Sequence, residues 1–240
     1  MNRAASIGGI VVAAVVGAGV KFGVPALLNE TSIAMNNPFP NSSPLHEPFY
    51  RMTKKIADSP TMKEQFKSVS KDQAEQLGAN LAKQGLKRLD DTSLERRATI
   101  LSSMLAKMDT KSCASIVLGQ PLSGDDKTNP IFMALEKLDP QSIDDWFQLS
   151  YKAMELEAQK APAPQFDQSK MPQAMQAVLK TMPSNDSQKF VTIMQAMSSP
   201  GGSVTTAPED ACWAGRKLYE SLKEVPQEHK VVLARAFAQE

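Results

Sequence analysis

The chain has 240 residues, with 27 Lys and Arg against 26 Asp and Glu, a net charge of +1 and two cysteines. That balance supplies no bulk electrostatic attraction to nucleic acid, so no nucleic-acid partner is expected. With 42% hydrophobic residues the chain is not a disordered polyampholyte, and the roughly 195 residues after position 44 suffice for one ample domain or two small ones.

Ala4 to Val20 is an apolar stretch rich in Gly, Ala and Val, and it resumes after Lys21 through Leu28. A helix crossing a ~30 Å hydrocarbon core needs about 20 such residues, and a lysine near one end can snorkel to the interface. Residues 1–28 are therefore expected to be a transmembrane anchor, with a cleaved signal peptide as the alternative. Arg3 precedes the run, and beyond Lys21 no Lys or Arg follows until Arg51. Positive-inside counting keeps the N-terminus in the cytoplasm and exports the rest: to the periplasm in a bacterium, or to the outside as a secreted chain if the segment is cut. Gly9, Ala13 and Gly17 recur every four residues, a small-residue stripe through which two anchors could pair into a homo-oligomer.

Residues 29–44 are rich in Pro and Asn and are expected to form a stalk; residues 45–240 are expected to be the exported domain, with a sub-division near 161–170. Further breaker-rich stretches lie at Leu118–Asn129, Ala161–Lys170 and Ser198–Ala207. Between them the apolar spacing is helical. Leu94, Ala98, Leu101, Leu105 and Met108 step by four and three, and so do Ile143, Phe147, Tyr151 and Met154. No segment alternates apolar and polar residues between hairpin turns, so the predicted fold is all-α: an irregular bundle of about ten short amphipathic helices, helical-hairpin-like in places.

Helix starts are written in side chains. Asp90, Asp109 and Asp139 each precede a helical stripe and can cap exposed N–H groups, and Pro140 suits a first turn. The apolar residue before each aspartate, Leu89, Met108 and Leu138, can staple onto Leu94, Cys113 and Ile143 five positions on. Ser70 and Gln73 fit a capping box.

Cys113 and Cys212 are 99 residues apart. In an exported domain the first expectation is a disulfide between them, the alternative being a reactive thiol at a helix start. No CxxC motif is present. His46 and His229 belong to no ligand spacing, so neither a metal site nor a cofactor is expected.

Met171, Met175, Met182, Met194 and Met197 cluster. Helical core packing is the leading reading. A Met-rich surface built from Met171, Met175, Met194 and Met197, able to repack around an apolar ligand or lipid, is the rival. Adjacent acid pairs at Asp125-Asp126 and Asp144-Asp145 point apart on a helix and do not converge for acid–base work, and no serine sits in GxSxG. No catalytic residue is assigned. The expected function is a membrane-anchored, non-catalytic helical module for interaction or assembly with a protein partner, on the outer side of the cytoplasmic membrane. Its alternatives are the apolar-ligand binder and an enzyme of unfamiliar helical type.

Overall fold

A computed structural model of the protein describes residues 37–67, 69, 71–122 and 129–239. The anchor segment Ala4–Val20 to Leu28, the stripe Gly9, Ala13 and Gly17, and Ser70 of the capping box lie outside the described residues. Among those residues the fold is all-α, without strands, and no helix is long and apolar enough to cross a membrane. They divide into two compact units, each built from two stretches of chain.

One unit gathers residue 37 to Ser93 and residues 129 to Pro164. It contains α1 (His46–Asp58), α2 (Pro60–Phe66), α3 (Lys71–Gly85), the start of α4 (Asp91–Lys107), α6 (Pro130–Leu135) and α7 (Pro140–Ala158). We call it the aromatic unit, because Phe39, Phe49, Phe132 and Phe147 meet at its centre. Phe39 stands edge-on to Phe49 at 5.3 Å and to Phe132 at 4.9 Å, and Phe49 stands edge-on to Phe147 at 5.8 Å. Edge-to-face pairs of this kind add about 1 kcal/mol each beyond their burial. Phe39 falls inside the Pro/Asn-rich stretch 29–44 and is buried, while Pro40, Asn41, Ser42 and Pro44 are exposed; Asn37 donates to the His46 carbonyl, and the Ser43 hydroxyl bonds Glu136. The prolines and asparagines there shape turns around a buried ring.

The longest of the described helices, α7, shows how sequence makes this unit. The Asp139 carboxylate accepts from Ser142 N–H at 2.9 Å and Pro140 supplies the first turn. Ile143, Trp146, Phe147, Ser150, Ala153 and Met154 then form one buried stripe. The helix ends where Lys160 turns left-handed at φ 51°, letting Ala161 N–H reach back to the Leu156 carbonyl at 2.9 Å. α3 lies against this helix at Gly85, where a Cβ would stand 1.8 Å from the Ala153 carbonyl oxygen. Nearby, Arg88 Nε donates to Glu157 at 2.6 Å and its guanidinium also reaches the Ala161 carbonyl; the two side chains are only 15% and 10% exposed. Burial pushes the Glu157 carboxyl upward, but hydrogen bonds from Arg88 and Lys160 outweigh it and hold the group below its ordinary range.

The other unit gathers Leu94–Leu122 and the chain from Gln165 onward. It holds the remainder of α4, then α5 (Thr110–Val117), α8 (Met171–Lys180), α9 (Ser184–Ser198), α10 (Gly202–Thr205), α11 (Pro208–Ser221) and α12 (Gln227–Phe237). Asp109 caps α5 through Ser112 N–H at 2.9 Å. Cys113 of α5 and Cys212 of α11, both buried, form a disulfide, so this is the cystine unit. The same two helices approach closely at Gly215, where a Cβ would come within 2.3 Å of a Val117 methyl. One residue on, Arg216 donates to the carbonyls of Leu105 at 2.9 Å and Met108 at 2.7 Å, satisfying acceptors at the C-terminal end of α4 that have no partner within the helix. Arg97 is buried in this unit, and desolvation brings its guanidinium down to about 10, against the opposing pull of Tyr219, so it stays charged at neutral pH.

Candidate interaction surface

The Met-rich segment folds as two consecutive helices of the cystine unit, α8, which lies against α12, and α9, which lies against α11. Its turn is held by side chains: Thr181 Oγ1 donates to the Val178 carbonyl at 2.8 Å, and the Ser187 hydroxyl donates to the Leu179 carbonyl at 2.9 Å. Pro183 stands at the start of α9, where its missing N–H costs nothing. The inner stripe of α9 is Phe190, Ile193, Met194 and Met197, spaced by three, one and three, and all four are buried. α8 turns Ala174 and Val178 inward.

That geometry sorts the four methionines expected to line an apolar surface. Met194 and Met197 are 3% and 1% exposed and belong to the core, as their shared stripe with Phe190 requires, whereas Met171 and Met175 are half-buried on α8. No surface is assembled from the four together. Cys113 and Cys212 are joined as the sequence suggests.

Two adjoining grooves that share Gln188 and Thr192 lie along α9. One, of about 600 Å³, is walled by Leu179, Met182 and Val191 on its apolar side and by Lys180, Ser184 and Ser187 on its polar side. The other, of about 480 Å³, adds Asn185, Lys189, Ile193 and Asp210. Lys189 Nζ stands 3.2 Å from the Asp210 carboxylate and 4.6 Å from the centre of the Trp213 ring, so one cation serves both an ion pair and an aromatic face. Lys217 and Asp186 form a second pair at 3.3 Å on the same two helices. Gln188, Thr192 and Trp213 were not singled out in the sequence. The signal for the first two was present, as polar residues four apart on the opposite side of α9 from Phe190 and Met194.

Chemically, the grooves offer amide and hydroxyl groups beside a short apolar strip, with Lys189 already engaged. The carboxylates that sequence suggested as helix caps are engaged as caps: Asp90, Asp109 and Asp139 each accept a backbone N–H. Asp144 pairs with Arg51 at 2.8 Å, and Asp145 accepts from Gln141 at 2.7 Å, so this adjacent pair serves two different neighbours. Asp125 and Asp126 lie outside the described residues. Among the described residues no group of three or more His, Cys, Asp or Glu is placed to hold a metal ion. Compared with known proteins, the chain matches no family, no curated protein and no solved structure.

Proposed function

We propose that this protein is a membrane-anchored, non-catalytic helical module for interaction or assembly, with its N-terminus in the cytoplasm and its helical units on the outer side of that membrane. The observation that carries the reading is the Cys113–Cys212 disulfide. Such bonds persist in oxidising compartments and are rare in the cytosol, and an independent sequence feature points the same way: the apolar run Ala4–Leu28 with Arg3 ahead of it and, past Lys21, no Lys or Arg until Arg51. The non-catalytic part rests on the employment of the acidic groups, several of which cap a helix or close an ion pair. A binding role draws on the mixed polar and apolar grooves along α9. The rival occupant of segment 171–197, an apolar ligand or lipid, has less support, since Met194 and Met197 are committed to the core.

Two measurements on the full-length chain test the reading. The protein is expected to remain with membranes through high-salt and carbonate washes; recovery in the wash supernatant overturns the anchor. In intact cells its thiols are expected to resist alkylation unless a reductant is added first; free alkylation of both cysteines overturns the exported setting. Crosslinking in native membranes followed by mass spectrometry then identifies the partner, and an absence of crosslinked protein across repeated captures counts against the interaction role.

A further inference from the structure

The cystine unit is assembled from chain that is not contiguous: Leu94–Leu122 comes first, and the remainder, from Gln165, follows only after residues 129–164 have entered the other unit. The earlier stretch leans heavily on the later one. α5 has eight residues, far below the roughly 12–15 at which an isolated helix becomes even marginal in water. Its buried face, Cys113, Ala114, Ile116 and Val117, is covered where α11 lies against it at Gly215. Arg216, again from α11, bonds the Leu105 carbonyl in the last turn of α4 and the Met108 carbonyl just past its end. Bringing α11 to α4 and α5 therefore means closing a long loop before any of these contacts forms, and the disulfide across a separation of 99 removes that cost from the open chain.

We infer that the Cys113–Cys212 bond is a redox latch on the folding of the cystine unit alone: with two thiols the aromatic unit folds and the cystine unit stays open, and oxidation closes it. A crosslink of this span changes the unfolding equilibrium by on the order of a thousandfold, which is the whole folded-to-unfolded ratio of a marginal domain. The aromatic unit contains neither cysteine and has its own core around Phe39, Phe49, Phe132 and Phe147. In the closing step one cysteine thiolate attacks a small disulfide such as oxidised glutathione, forming a mixed disulfide and expelling one carrier thiol. The second cysteine thiolate then displaces the other. The two cysteines lose two electrons and two protons, and the carrier disulfide gains them as two thiols. Both sulfurs end up buried, at 0% and 2% residue exposure, so the closed unit shields its own bond and a reductant must wait for the unit to open.

The physiological setting of the latch rests on the exported reading proposed above, but its test does not. Full-length protein in detergent is compared by hydrogen exchange when oxidised, when held reduced by dithiothreitol, and as the Cys113→Ala/Cys212→Ala double variant, which introduces neither bulk nor a buried hydroxyl. Peptides from Leu94–Leu122, α9 and α11 are expected to lose protection by on the order of a thousandfold in the last two samples, while peptides from α1, α3 and α7 stay within a few-fold of the oxidised protein. Retained protection in the cystine unit overturns the latch, and so does joint loss of protection in both units. Because the redox state is set in the tube, failure of the membrane or thiol-alkylation tests leaves this outcome unaffected, and the reverse holds as well.

Discussion

The two units solve one problem by different means. Each must join two stretches of chain separated in sequence, and each contains a glycine at which two helices nearly touch. The aromatic unit relies on rings and a buried ion pair; the cystine unit relies on a covalent crosslink and an arginine reaching carbonyl groups. The obstacle facing each glycine also differs, a backbone carbonyl at Gly85 and a valine methyl at Gly215. A backbone obstacle cannot be repacked, whereas a side chain can be shortened. The first unit should therefore be intolerant at its glycine and indifferent to reductant, and the second should be the reverse.

The largest expected effect is Phe147→Ala, which opens a cavity in the ring cluster and should cost about 3–5 kcal/mol. Denaturant melts followed by exchange in α7 should show that loss equally with and without dithiothreitol; a redox-dependent loss would break the distinction between the units. Next is Arg88→Met, which strands the largely buried Glu157 with only Lys160 and should cost about 3 kcal/mol. The double change Arg88→Met/Glu157→Leu should recover most of it, as read from the shift in midpoint at constant slope. A smaller effect separates the glycines. Gly215→Ala should cost about 1–3 kcal/mol and be rescued by Val117→Ala, while Gly85→Ala should cost more and be rescued by no trimming of side chains, since Ala153 opposes it with its backbone. Rescue of Gly85→Ala by Ala153→Gly would refute that assignment.

The smallest effect depends on pH. The Asp90 carboxyl is lowered from 3.8 to about 2, chiefly by the hydrogen bond from Lys152, with desolvation opposing and Ser93 assisting. A group depressed in the folded state stabilises fully above its unfolded value and loses that contribution as pH falls through its folded value. Asp90 should thus support the aromatic unit above about pH 4 and cease to do so near pH 2. The difference in midpoint between the native protein and Asp90→Asn should shrink over that window, and a constant difference would remove the ion pair from the account.

Much of this was legible in residue order. The three-and-four spacing around Ile143, Phe147 and Met154 and the capping aspartates at 109 and 139 dictate local geometry, because the groups that interact are within a turn of one another. The pairing of Cys113 with Cys212 followed from there being only two. What stayed hidden depends on partners far along the chain. Arg88 and Glu157 look like two ordinary surface charges until α3 and α7 are laid together, and Phe39 reads as linker because Pro38 and Pro40 flank it. The groove residues Gln188 and Thr192 were readable as an outward face of α9, but no pattern in sequence marks which outward face is concave.

Linking position 113 to position 212 makes every residue between them part of a covalent ring. α6 and α7 lie on that ring, while α1, α2 and α3 hang from it as a tail. A protease that cuts once anywhere from 114 to 211 therefore releases nothing: the nicked protein keeps its mass and runs as two pieces only after its sulfur bond is broken. A cut between α3 and Cys113, by contrast, leaves α1 and α3 held to α7 by packing alone, so two pieces separate on a denaturing gel without any reductant.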